Sequence, residues 1–186
     1  MKMQNDAMYM APGLIDDSFI EKWSRRFDSG ARDETKYLQL VSKVNDEIRS
    51  KGYLTKPTFI SIINWKSPRV RPIFEKHDYR IYKKGIIRCL SVPDDEKLPV
   101  LMELDGIGAP IGSTILHFIY PEKFPIMDVR TCEALFDLGY IKSKSRDEKR
   151  YPMFQKAILD IQKQCNKYSL RQIDKALFAY NKLSKT

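Results

Sequence analysis

The residues of this chain whose types and spacing could do chemistry together are Asp105-Gly106-Ile107-Gly108 and, further along, Asp128. The glycine turn lies between two apolar helical patterns, where glycines reach φ > 0 and let the backbone come close to a ligand. The amides that follow Gly106 and Gly108 stand at a helix N-terminus without intrahelical partners, so they can point at a phosphate. Asp128 comes after Pro121 and Pro125 and opens the next apolar run, a position in which the helix dipole keeps a carboxylate ionised. An ionised carboxylate can stabilise a developing positive charge or orient and deprotonate water. Asp at a helix start is also a common N-cap, and a glycine turn between helices is often no more than a corner.

The elements that must position these groups are helical throughout. Ser18-Phe19-Ile20-Glu21 reads as a capping box opening a helix with Phe19, Ile20, Trp23 and Phe27 on one side, ended by Ser29-Gly30. A second helix, from about Asp33, spaces Tyr37, Val41, Val44 and Ile48 and is closed by Gly52. Thr55 caps a third, with Pro57 in its first turn, which runs to Trp65. Trp65-Lys66-Ser67-Pro68-Arg69-Val70-Arg71-Pro72 then reads as a rigid loop whose Lys66, Arg69 and Arg71 neutralise phosphate charge. The alternative is an interhelical turn with Trp65 in the core and the arginines in water. Residues 73–92 form a helix expected to break at Lys84-Gly85, and Pro93-Asp94-Asp95-Glu96 starts the helix that leads into the glycine turn. After Asp128 come an amphipathic helix ended by Gly139, a charged loop at 142–150, and a helix from Tyr151 to about Lys167. A last helix opens at a second capping box, Ser169 to Gln172. No period-2 segment stands out, so the class is all-α and the chain one unit.

The stretch LMELDGIGAPIGSTILHFIYPEKFPIMDVR, residues 101–130, resembles the helix-hairpin-helix-GPD superfamily of DNA base-excision glycosylases. Leu104, Gly106, Ile107 and Gly108 match that family's hairpin, Ser113 falls in its small-residue helix, and Asp128 matches its catalytic aspartate. The resemblance implies a compact DNA-glycosylase-like helical bundle over residues 1–186, with the hairpin at 101–120 and the aspartate loop at 121–130. It further implies that Gly106, Ile107, Gly108 and Ser113 contact DNA phosphate and that Asp128 assists base departure. Bifunctional members carry a Schiff-base lysine two residues after the second hairpin glycine. That position here is Pro110, eighteen residues before Asp128, the interval the family keeps. Proline has no amine, so the implied activity is monofunctional, using water and leaving an abasic site. Lys66 and Lys123 are amines that nothing in the sequence places near the sugar. An extruded base needs an apolar and aromatic pocket, for which Trp65, His117 and Tyr120 are candidates.

Charge agrees with a polyanionic partner. The 33 Lys+Arg against 24 Asp+Glu give a net charge of +9, which favours polyanions, chiefly nucleic acid or an anionic membrane; the resemblance implies the phosphate backbone of duplex DNA. No apolar run has membrane-spanning length, and the opening MKMQNDAMYMAPG is too polar for a signal peptide. Cys89, Cys132 and Cys165 are widely spaced and read as reduced intracellular thiols; they do not form the clustered cysteine site that holds an iron–sulfur cluster in some glycosylases. His77 and His117 lack metal-ligand spacing. The expectation is therefore a cytoplasmic monomer, nucleoid-associated if bacterial, with no metal and no cofactor. Two other functions compete with it. One is a DNA-binding protein of the same fold without catalysis. The other is an interaction protein in which the glycine turn is a corner and the charge serves solubility.

Overall fold

Residues 109–119 hold no Asp, Glu, Lys or Arg, only Ser113, Thr114 and His117 among apolar residues, and a helix without a charged face is expected in the interior. The computed structural model, which describes residues 15–29 and 34–183, places this helix at the centre. The described residues contain ten α-helices: α1 (Asp17–Ser29), α2 (Glu34–Lys51), α3 (Lys56–Lys66), α4 (Arg71–Lys76), α5 (Tyr79–Ser91), α6 (Lys97–Met102), α7 (Ala109–Ile119), α8 (Val129–Asp137), α9 (Tyr151–Gln164) and α10 (Leu170–Leu183). There is no strand among them, and no helix of the described residues is long and apolar enough to cross a membrane. The central helix α7 packs against α2, α3 and α6, with α5 on the outside of α6. Helix α10 lies between α1 and α8, which brings the two ends of the described chain together. One contiguous apolar core runs through both groups, from Ile20 and Trp23 through Phe59, Leu101 and Phe118 to Leu177.

The helix boundaries follow from identifiable caps, several of which differ from the sequence expectation. Asp16, rather than Ser18, caps α1: its carboxylate accepts from the Phe19 amide at 2.8 Å and from the Ser18 hydroxyl at 2.8 Å. Aspartate offers a stronger acceptor than a serine hydroxyl, and the serine is recruited as its donor. Thr55 stands at the N-cap of α3, but its hydroxyl donates to Glu47 at 2.7 Å instead of capping its own helix. The break expected at Lys84-Gly85 falls at His77-Asp78, where Asp78 is extended and accepts from the Arg80 amide. Gly85 stays helical, and the Leu104 side chain fills the space a Cβ would take, 2.6 Å from its ideal position. Trp65 to Pro72 is not a loop: Trp65 and Lys66 end α3, Pro68–Val70 form a single 3-10 turn, and Arg71 opens α4. The second capping box is present, with the Ser169 amide donating to Gln172 and the Gln172 amide to Ser169. Gly30, the start near Asp33 and the N-terminal stretch read against a signal peptide lie outside the described residues.

The turn between α6 and α7 uses its glycines differently from one another. Gly106 has φ +79° and lies over Ile73 and Phe74 of α4, so it takes the left-handed conformation that the sequence called for. Gly108 is extended, with φ −93° and ψ 176°, and serves as the N-cap of α7. A third glycine, Gly112, governs how closely α6 approaches α7: a Cβ there would stand 2.6 Å from Leu98 Cδ1. Leu98 is itself buried and has no solvent side to escape to. Gly112→Val should therefore push α6 off α7 and lower stability by about 1–3 kcal/mol, read as a fall in the urea midpoint with little change in the m-value.

Candidate functional site

Asp128 reaches its position because the segment before it is tied to α7 and α9 by three side chains. Ser113 Oγ accepts from the Met127 amide at 3.0 Å and donates to the Pro110 carbonyl at 3.2 Å. His117 Nδ1 bonds the Phe124 carbonyl at 2.8 Å, and the Tyr151 hydroxyl donates to the Pro125 carbonyl at 3.0 Å. Residues 124–127 are buried throughout, so each of these bonds also satisfies a backbone group that would otherwise be left bare. The chain then emerges at Asp128, which caps α8 with a full capping box: Asp128 Oδ1 accepts from the Arg130 amide at 2.9 Å, and the Asp128 amide donates to Thr131 Oγ1 at 3.1 Å.

The other carboxylate oxygen carries the more telling contact. Asp128 Oδ2 accepts from Lys66 Nζ at 3.0 Å, with the lysine side chain 12% exposed and the aspartate 23%. Lys66 is thus turned inward from the end of α3 onto the candidate catalytic acid, and it does not share the solvent-facing position of Arg69 and Arg71. Burial by itself pushes the Asp128 pKa up; the Lys66 ammonium and the Arg130 amide more than offset this and hold the carboxyl below the ordinary aspartate range. Asp128 is therefore ionised at neutral pH.

The pair opens onto a small cleft of about 60 Å³ where α1, α3 and α10 meet the Asp128 segment. Trp65, Lys66, Ile126 and Asp128 form one side, and Phe27, Arg171, Asp174 and Phe178 the other. The space accommodates a few waters, which need at least about 10–15 Å³ each, and falls well short of the roughly 300 Å³ at which small-molecule pockets begin. Helix α10 supplies a component the sequence reading passed over. Arg171, Asp174 and Lys175 are charged and yet buried on one face of this helix. Arg171 pairs with Asp174 and, at 3.3 Å, with Glu34, while Lys175 reaches Asp28 at 2.6 Å. The Arg171 guanidinium also lies about 5 Å from the ring centroids of Phe27, Tyr37 and Trp65. Its Nε has no hydrogen-bond partner in the protein. The signal for this face was present in the spacing of Arg171, Asp174 and Lys175 at i, i+3 and i+4, a charged stripe in a helix with a separate apolar stripe.

The remaining candidates are distributed as follows. Trp65 is at the cleft and also borders a larger, polar cleft of about 350 Å³ between α2 and α3. His117 is fully buried and lines neither cleft: the Phe124 carbonyl can only accept, so Nδ1 carries the proton and Nε2 accepts from the Tyr37 hydroxyl at 2.8 Å. Tyr120 lies apart, against Phe124 and the Lys97 ammonium. Ser113 is buried and doubly bonded within the protein, which removes it from contact with a phosphate. The Ile107 amide already donates to the Leu104 carbonyl at 3.0 Å, while Gly106 and Gly108 are exposed. Arg69 and Arg71 are exposed beside this turn, Arg71 paired with Glu75 at 2.7 Å, and His77 reaches Asp105 at 3.1 Å. Lys123, the other amine considered, is paired with Asp94 at 3.0 Å. No group of three metal-ligating side chains comes together among the described residues.

Comparison of the chain with models of known protein families, with curated proteins and with solved structures gives no match in any of the three.

Two titrations test this geometry. Removing the ammonium while leaving the burial, as in Lys66→Met, should raise the Asp128 pKa, seen by carboxyl NMR titration. For His117, burial lowers the folded-state pKa to about 4, against about 6.5 in the unfolded chain. Between these values the unfolded chain takes up a proton that the folded protein refuses, so the stability is full above about pH 6.5 and falls toward pH 4. Urea midpoints across that interval should decline in the wild type and decline less in His117→Gln.

Proposed function

We propose that this protein binds duplex DNA and hydrolyses the N-glycosidic bond of a damaged or mismatched base, as a monofunctional glycosylase with Asp128 as its catalytic carboxylate. The observation that carries the proposal is the setting of Asp128: held below its ordinary pKa, only partly enclosed, and on the wall of a water-sized cleft. A carboxylate confined to helix capping needs neither the lysine nor the cleft. Departure of a base leaves positive charge on the sugar, which an ionised carboxylate stabilises while it orients a water for attack. Lys66 acts as the counter-ion that keeps Asp128 charged in its buried setting. With proline at position 110 the reaction ends at an abasic site. The exposed Gly106 and Gly108 and the exposed Arg69 and Arg71 would hold the phosphate backbone.

The second reading is a DNA-binding protein of this fold without catalysis. A specific observation favours it: the cleft of about 60 Å³ admits no base unless its walls move apart.

A panel of end-labelled duplexes carrying uracil, 8-oxoguanine, alkylated purines, hypoxanthine and mismatches separates the two. The glycosylase reading expects alkali-dependent strand breaks on at least one duplex, reduced about 100-fold or more in Asp128→Asn. Salt-sensitive binding with no breaks on any substrate, unchanged in Asp128→Asn, would establish the non-catalytic binder.

A further inference from the structure

We propose that the cleft between α1, α8 and α10, on the far side of Phe27 and Phe178 from Asp128, binds a nucleotide through its phosphate and its base. This cleft measures about 270 Å³ and is lined by Arg26, Arg130 and Lys182, with Phe27, Phe178 and Ala179 among its apolar walls. It is more than four times the size of the space beside Asp128 and shares Phe27 and Phe178 with it. Phe27 and Phe178 meet edge-to-face, with centroids 5.6 Å apart, and form the partition.

Its charge is one-sided. The cleft has three cationic side chains and no carboxylate in its lining. None of the three is in an ion pair with a carboxylate among the described residues; Arg26 and Lys182 stand exposed at the rim and Arg130 is half-buried. Two of them instead rest on aromatic rings: the Arg26 guanidinium lies 4.8 Å from the Trp23 centroid, and that of Arg130 5.1 Å from Phe178. A guanidinium on a ring is held in place while its N–H groups remain free for a planar anion. Arginine and lysine converging from three helices match the oxygens of a phosphate, and the half-buried Phe178 in the wall gives a base aromatic surface to pack beside, with the Arg130 guanidinium as a second planar group. Phosphate and aromatic ring in one ligand of this size describe a nucleotide, either free or as a unit of a nucleic-acid strand. The inference is independent of catalysis at Asp128.

Isothermal titration of the full chain with a deoxynucleoside monophosphate, the corresponding nucleoside, inorganic phosphate, and a 5′-phosphorylated single-stranded oligonucleotide tests it. The monophosphate is expected to bind more tightly than the nucleoside or phosphate alone. Its affinity should fall with salt, and by about tenfold or more in Arg26→Gln/Lys182→Gln, with circular dichroism and Tm close to wild type. Phe178→Leu, which keeps the cations and removes the ring, should weaken the nucleotide and leave inorganic phosphate unaffected. If the double variant also loses the oligonucleotide, the site serves a strand; if it keeps the oligonucleotide, the site serves a free nucleotide, and either result upholds the nucleotide chemistry. The proposal is overturned if the chain binds no monophosphate, if the folded double variant binds it as well as wild type, or if inorganic phosphate binds equally tightly. Asp128→Asn should bind the monophosphate like wild type, so failure of the glycosylase reading would leave this result standing.

Discussion

The ion pair between Lys66 and Asp128 is the interaction on which the rest of this structure turns. Each partner is largely withdrawn from water, and a charge withdrawn from water is tolerated only when it is matched and hydrogen-bonded. Lys66 satisfies one carboxylate oxygen and the Arg130 amide the other. Behind the pair, α10 buries Arg171, Asp174 and Lys175, which are matched in turn by Glu34 and Asp28. Such a network is poor evidence for stability, since apolar side chains of similar volume often stabilise as well or better. It surrounds the cleft that Asp128 borders and leaves Lys66 as the counter-ion of that carboxylate.

Position matters as much as charge. The segment that ends at Asp128 has no regular structure of its own, yet it is buried, and its carbonyl and amide groups are bound by Ser113, His117 and Tyr151. Ser113 and His117 both lie on the central helix, so the placement of Asp128 is referred directly to the most enclosed element of the fold. A histidine in this role must stay neutral, and complete burial ensures that by lowering its pKa to about 4. The residue types that looked available for ligand contact are therefore those that fix the geometry of the site.

Glycine has three separate duties around α7. Gly106 provides a left-handed turn, Gly108 an extended cap, and Gly112 a gap into which Leu98 packs. In the sequence Gly106 and Gly108 read as one glycine turn, legible because few other residues accept a φ of +79°. The distinction between the three was not legible, because it depends on what stands opposite each one: Ile73 and Phe74 for Gly106, Leu98 for Gly112. The same holds for Gly85, which reads as a break and is instead a contact with Leu104.

Local periodicity and capping chemistry determined most of the helices, the all-helical class, the glycine turn and the place of Asp128 at the head of α8, because these depend on neighbours within a few residues along the chain. Net charge of +9 pointed to a polyanion, without saying where on the surface one would bind. Tertiary structure decided the rest. It turned Lys66 away from Arg69 and Arg71 onto an acid 62 residues distant, buried His117 and Ser113 with partners inside the protein, and brought Phe27, Arg130 and Phe178 together from three helices. The physical reason is that a side chain's partner in a folded protein is set by the packing of whole helices, and the energy of a buried charge depends on that partner rather than on its neighbours in sequence.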